Sequence, residues 1–417
     1  MFPNHPNDDI IYPYTIPEHG ANMVTFLPFA GYRPNLSSGE HEVDRISPPY
    51  DVIGDDYLKE LQSHPHNVTN LTLKQDADKR YHSARKELDS WIESGALKQD
   101  EDSFYIYEQT FDDNGKKRVR TGIVGILKTE KYEEGNIIPH EETFSKVKAD
   151  RLNLLRDMEA HLESIFGIFE GFTPELNKKI ADNARLIYLF NDDAGVEHKY
   201  YRLSDASICK EITEQLKDQK MLIADGHHRY ETALNYSLEN PGNEKKSFVL
   251  ATLVASDNEG LVIWPTHRLV NTENISEKNA IKGISAVLKT EEVTREEMES
   301  KLKDHMMGLM FKSGKCFLAD YESGDDPMWK LDTYVAQEKI LKGVYKSDEG
   351  KATISYDAEY PSVKAQMEEK KHDLAIVLND PKLQTIWDLS MIGKRMPKKT
   401  TFFFPKIWSG FVFYLMR

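Results

Sequence analysis

Three observations in the sequence predict a mixed α/β (α+β) fold. Short apolar runs alternate along the chain with segments in which apolar residues recur at helical spacing. One stretch, 221–235, passes directly from a strand pattern (Met221, Leu222, Ile223, Ala224) through Asp225 and Gly226 into a helical one with Tyr230, Ala233, Leu234 and then Ser237. The third is Asp112-Asp113-Asn114-Gly115 between two β-rich runs, a strong hairpin signal that adds antiparallel pairing to the strand-helix units. With 417 residues the chain has room for roughly two to three ordinary domains, or one elaborated unit.

Taken in order, residues 1–22 are rich in Pro, Asn and Asp and read as an irregular arm. Residues 23–32 form the first strand-like run. In Ser47-Pro48-Pro49-Tyr50-Asp51-Val52-Ile53-Gly54 the tandem prolines fix an extended backbone that presents Tyr50 and Asp51. Residues 56–63 read as a short helix and 67–73, which alternate polar with apolar, as a strand. A helix is expected over 80–94, with Ala84, Leu88, Trp91 and Ile92 inward and Gly95 as its stop. The hairpin strands follow at 104–110 and 118–127. A helix is expected over 150–166 on a stripe of Leu152, Leu155, Met158 and Leu162, which turns Arg151 and Arg156 elsewhere. Strands at 166–169, 186–190 and 199–203 and a helix at 207–216 lead to the strand at Met221, and 247–255 and 261–264 are apolar strands. From Thr272 the composition turns charged and helical. The expected organisation is therefore an N-terminal α/β portion at 1–130, a core at 131–271 and a C-terminal α/β portion at 272–417.

Composition excludes several classes. The net charge is −15, from 54 Lys and Arg against 69 Asp and Glu, and opposes a polyphosphate backbone, so nucleic acid is not an expected partner. Cys209 and Cys316 lie outside any zinc or redox spacing, which fits a reducing cytoplasm. The first twenty residues have no basic stretch followed by an apolar core, so secretion is not expected. The aromatic run at 401–416 is broken by Pro405, Lys406 and Gly410 and reads as two strands around a turn, so no membrane association is expected.

Three dense polar groups each follow an apolar run. In Asp225-Gly226-His227-His228-Arg229 the side chains surround the start of a helix, whose first N–H groups lack internal partners and carry the positive end of the dipole. An Asp-Gly helix start alone is ordinary cap chemistry. Four polar or titratable side chains within five residues, directly after a strand that must be buried, are poor packing material without a ligand. Gly226 lets backbone approach an anion, and Asp225 could hold a metal or orient a histidine. The second group is Pro139-His140-Glu141-Glu142-Thr143 and the third Pro265-Thr266-His267-Arg268. Lys394, Arg395, Lys398 and Lys399 form the most basic patch of an acidic chain, a solvated turn or a phosphate contact.

The motifs SPPYDVIG, IIPHEET, IADGHHRYETAL, PTHRLV and MPKKTTFFFPK resemble, in this order and over nearly the whole chain, a widespread prokaryotic family filed as domain of unknown function 1015. That family looks related to the ParB/sulfiredoxin-like superfamily and its free serine kinases. The resemblance implies a ParB/sulfiredoxin-like nucleotide-binding core with elaborated N- and C-terminal portions. It also implies a small-molecule kinase that moves phosphate from ATP or ADP, with Mg2+, to a hydroxyl, free L-serine being the expected acceptor. Glu141 would be the base, with Glu142 second, and Asp225 and His228 would be the other catalytic groups. Gly226, His227, His228, Arg229 and Thr232 would bind the nucleotide, and Asp225 the metal. Weaker substrate or phosphate contacts would be Tyr50, Asp51, His140, His267, Arg268 and Lys399.

Two departures narrow this. His227 stands where sulfiredoxins carry cysteine, so sulfinate reduction is not expected, and the acidic chain shows no basic recognition helix of the ParB kind. The expected partners are a nucleotide and a small hydroxyl compound, with a homodimer allowed for. The rival readings are a nucleotide sensor without catalysis, and a hydrolase whose zinc or manganese is held by His140, Glu141, His227 and His228.

Overall fold

The structure is a computed structural model and describes residues 23–36, 39–73, 80–141, 145–322 and 324–417. The expected arm at 1–22 and the motif residues Glu142 and Thr143 lie outside the described residues. Nine strands form one mixed sheet, ordered Ile137–Ile138, Met221–Asp225, Ile165–Phe169, Phe248–Ala255, Lys116–Lys128, Phe104–Asp113, Glu197–Leu203 and Arg185–Asn191, with Phe26–Leu27 paired to Lys116–Lys128. Strands on both sides of residue 130 thus share a single sheet.

The strand Met221–Asp225 shows why its sequence is continuously apolar. Leu222 and Ala224 enter one core layer with Ile138, Phe166 and Tyr236, while Met221 and Ile223 enter the other with Ile212, Tyr230 and Ala233. A strand covered on both faces loses the polar alternation of a half-exposed one. It runs parallel to Ile137–Ile138 and antiparallel to Ile165–Phe169. The ends of 137–138 and 221–225 therefore lie side by side, and the two polar motifs that follow them meet.

A second sheet of six strands, all antiparallel, is ordered Lys289–Val293, Cys316–Asp320, Met306–Phe311, Leu374–Val377, His267–Asn271 and Thr353–Asp357. After the helix Leu383–Met391 the chain returns to the first sheet. Met396 N donates to His140 O at 2.9 Å, Thr401–Phe404 pairs antiparallel with Val262–Pro265, and Ser409 and Ser47 exchange backbone hydrogen bonds. The C-terminal aromatic run is thus a strap across the large sheet, with Phe403, Trp408, Phe411 and Tyr414 in its core.

Three local expectations are corrected. Residues 67–73 are not a strand: Thr69–Thr72 is a short helix, because Asn67 Oδ1 accepts from Thr69 N at 3.0 Å and caps its start. The helix expected over 150–166 is Ser145–Met158, ended by Glu159 at φ 48°, and 160–161 and 165–169 are strands. Arg151, expected to face elsewhere than the core, is 9% exposed. Its guanidinium lies 4.6 Å from the centre of the Tyr50 ring.

Candidate functional site

The helix His227–Glu239 begins at Gly226, whose backbone is left-handed at φ 88° and which provides no side-chain cap. The left-handed backbone calls for glycine, and a Cβ there would stand 3.0–3.1 Å from the Arg229 guanidinium, which would have to give way slightly. No side chain caps this start, and the first helical turn carries the positive end of the helix dipole. Arg229 folds back, with Nη1 donating to Ser164 O and Nη2 lying 3.3 Å from Asp225 Oδ2. Lys406 Nζ is 3.3 Å from Asp225 Oδ1. Burial raises the Asp225 pKa, but Lys406 and Arg229 outweigh it and hold the carboxyl below its ordinary range.

The Pro-His-Glu motif sits against this turn. His140 N donates to His227 Nε2 at 3.2 Å, and the two rings meet edge to face at 4.6 Å. His140 Nδ1 donates to Ile223 O at 2.6 Å, and its Nε2 is 2.9 Å from Thr401 Oγ1. Burial, then the neighbouring His140, pushes the His227 pKa down to about 3, so His227 is neutral and its Nε2 accepts. Glu141 Oε1 accepts from Thr400 N, Thr401 N and Thr401 Oγ1 at 3.1–3.2 Å. Burial raises its pKa, and the His140 ring, whose Nε2 lies 3.6 Å from Oε1, together with the Thr401 N–H overcomes this and draws it down to about 2.

Further cations close in. Arg120, 1% exposed, donates to Phe404 O, Pro405 O and Gln109 Oε1, and its guanidinium lies 5.0 Å from the Phe166 ring centre. Arg268, equally buried, donates to Thr266 O and Lys398 O and faces Glu141. Arg395 donates to Pro139 O. Burial lowers the pKa of Arg120 and of Arg268 to about 10, and both stay charged at neutral pH. Three cations, Arg229, Lys406 and Arg395, thus contact the two motif turns, whose carboxylates are Asp225 and Glu141.

Beside Arg229 opens a small cleft of about 60 Å³ lined by Thr72, Arg151, His161, Glu163 and Thr232, among others. Arg151 Nη1, His161 Nε2 and Thr232 Oγ1 are buried in its wall without a hydrogen-bond partner. Such atoms are costly unless something completes them. Burial holds His161 neutral, its pKa pushed down to about 4.

A family described as a protein of unknown function, DUF1015, matches residues 26–334. The chain belongs to that family. No curated protein matches the sequence. Among solved structures, a conserved hypothetical protein from Pyrococcus furiosus is similar at 15% identity and a TM-score of 0.38, over 65% of this chain and 89% of that one. A free serine kinase in complex with AMP is similar at 13% identity and a TM-score of 0.38, over 64% and 83%. SbnI from Staphylococcus aureus, truncated at its C-terminus, shows 10% identity and a TM-score of 0.38, over 69% and 85%.

In this DUF1015 chain the structure unites His140, Glu141, Asp225, Gly226, His227, His228 and Arg229, and puts Thr232 in the wall of the cleft, while Tyr50 lies against Arg151, another residue of that wall. It separates others. His267 belongs to the second sheet, where its Nδ1 accepts from Leu378 N and its ring meets Tyr360, so it is a packing histidine. Lys399 is exposed in a left-handed turn, and its neighbours Arg395 and Lys406 approach the motifs instead. Asp51 lies in the short helical turn Tyr50–Val52. Lys406, Arg120, Gln109, Thr401 and His161 carry no role in the reading from sequence, since nothing local reveals the tertiary neighbours that bring them to the motifs or the cleft.

Of the four ligands in the hydrolase reading, His140 and His227 are engaged within the protein. His140 uses both ring nitrogens within the protein and His227 Nε2 is taken by a backbone N–H, so these nitrogens do not converge on an ion. Among the described residues no group of three or more His, Cys, Asp or Glu is placed to hold a metal.

Proposed function

We propose that this protein binds a nucleotide by its phosphates at the 225–229 turn and transfers a phosphoryl group to the hydroxyl of a small molecule. ATP or ADP is the donor, and free L-serine, which the motif resemblance favours, is the first acceptor to test. The observation that carries this is the charge balance: a helix start with no side-chain cap, where Arg229 and Lys406 both pair with one carboxylate, Asp225, in a chain of net charge −15. Buried cations in excess of their partners are costly, and a phosphate would complete them.

Phosphoryl transfer needs charge neutralisation, in-line positioning and an acceptor for the hydroxyl proton. The N–H groups at the start of the helix and the Arg229 guanidinium hold phosphate oxygens. Asp225 is the carboxylate that would hold Mg2+, an ion that takes one or two carboxylates plus phosphate oxygens and supplies further neutralisation when bound. The acceptor binds against the Pro-His-Glu turn that faces the 225–229 turn. Glu141 receives its hydroxyl. A carboxylate with a pKa of about 2 is a weak base. In a loose transition state the attacking oxygen forms little bond, so Glu141 orients the hydroxyl first and takes its proton late.

Calorimetry of the full chain with ADP and ATP, with and without Mg2+, tests the phosphate site. Binding that weakens on Arg229→Ala supports it, and no binding of either nucleotide by the folded protein removes it. One observation favours a second reading, a nucleotide sensor without transfer: Glu141 Oε1 ties down the Thr400–Thr401 backbone, as a latch would. Retained nucleotide binding with no phosphate transfer to a broad panel of hydroxyl compounds would favour that reading.

A further inference from the structure

Lys406 lies beyond the segment 26–334 that the family model matches, and it reaches the site through a dedicated support. Gln109 and Arg120 stand opposite each other on the hairpin strands Phe104–Asp113 and Lys116–Lys128. Between them they hold three consecutive carbonyls of the strap: Arg120 donates to Phe404 O and Pro405 O, and Gln109 Nε2 donates to Lys406 O at 2.9 Å. The same Arg120 donates to Gln109 Oε1, which fixes the amide's orientation.

So held, the Lys406 side chain is 13% exposed, with Nζ 3.3 Å from Asp225 Oδ1 and 4.4 Å from the centre of the Phe402 ring. An ammonium has three donors, and Asp225 accepts one of them. The pair is largely buried, at 13% and 28% side-chain exposure, so the ammonium's remaining donors are withdrawn from water and favour an anion beside them. Arg120 has no hydrogen-bonded carboxylate among the described residues, although its burial is nearly complete. Its hydrogen bonds go instead to the strap's carbonyls and to Gln109, the contacts that fix the backbone of Lys406.

We infer that Lys406 is a phosphate-binding residue of this site, paired with Asp225 until an anion arrives, and that Gln109 and Arg120 are the residues that position it. The inference rests on the phosphate-site reading given above. The C-terminal strap is then part of the site, because it delivers the ammonium that completes the anion cradle opposite Arg229.

The test is calorimetry on the full-length protein with ADP and, separately, inorganic pyrophosphate. Lys406→Met should weaken both about tenfold or more, and Lys406→Arg should recover part of the loss, while Lys312→Met on the second sheet leaves both unchanged. Gln109→Leu, which keeps every charge, should weaken binding less. Combined with Lys406→Met it should add no further loss, since it acts through Lys406. Wild-type binding with unchanged affinity in folded Lys406→Met would overturn the inference and leave a structural ion pair. Fully additive losses would overturn the positioning role of Gln109. If the wild type binds neither ligand, the phosphate-site reading fails, and this inference with it.

Discussion

Arg229 and Glu141 are the residues on which the account makes its sharpest demands. Arg229 holds Asp225 and Ser164 O, so a nucleotide competes with two internal contacts. Its replacement by Ala should still cost roughly 1.5–3 kcal/mol of nucleotide affinity, the range for hydrogen bonds to charged groups. Calorimetry showing equal affinity would take the guanidinium out of the site. Glu141→Gln keeps the shape and one accepting oxygen but cannot take a proton. Turnover should fall by about 10²–10⁴ with nucleotide affinity nearly unchanged. Wild-type turnover in that variant would make Glu141 a structural tie to Thr400 and Thr401. Because its pKa lies near 2, Glu141 stays ionised across the working range, so it should produce no acidic limb in the rate profile above about pH 4.

At the scale of elements, the strand–turn–helix at 221–239 was legible because each part has its own signal: a doubly buried strand, an Asp-Gly turn and a helical period. The bond from His140 N to His227 Nε2 was not, because it depends on the parallel pairing of Met221–Leu222 with Ile137–Ile138. The helix 145–158 was displaced in the reading from sequence because Leu162 continues the spacing of Leu155 and Met158 past a break. That break is the left-handed Glu159, which no residue-type signal announces. The stretch 67–73 alternates by accident of composition, and the Asn67 cap decides it locally. Gly226 carries a prediction at this scale. Gly226→Ala should lower stability by about 1–2 kcal/mol, the cost of a left-handed L-residue, and should also displace the guanidinium 3.0 Å away and weaken nucleotide binding. Urea denaturation and calorimetry on one preparation check both, and an unchanged midpoint would mean that the turn relaxes.

For the whole molecule, the order of motifs along the chain gave the family, whereas the site's completion by a strap arriving from residues 395–406 required the tertiary fold. Lys399 was the natural choice within a basic run, and Lys406 was hidden among aromatics. Three buried histidines set the response of the whole fold to acid. Burial lowers His227 to about 3 and His161 and His267 to about 4, against an ordinary value of 6.5. Below pH 6.5 the unfolded chain therefore takes up protons that the folded one refuses, and stability falls as the pH drops toward these lowered values. At pH 5 the loss is about 2 kcal/mol per histidine, from roughly 1.4 kcal/mol per pH unit. Urea midpoints should fall steeply between pH 6.5 and 4.5, and a flat profile would show that these rings are not buried as described.

The central claim, that this chain transfers a phosphoryl group, is tested most directly by phosphorus NMR of the protein with Mg2+, ATP or ADP, and serine. The account predicts a new phosphomonoester resonance that grows as the donor's terminal phosphate declines, and that is lost with Arg229→Ala and strongly slowed with Glu141→Gln. Donor resonances that stay unchanged with serine and with a broad panel of small hydroxyl compounds, in protein that binds the nucleotide, would contradict it.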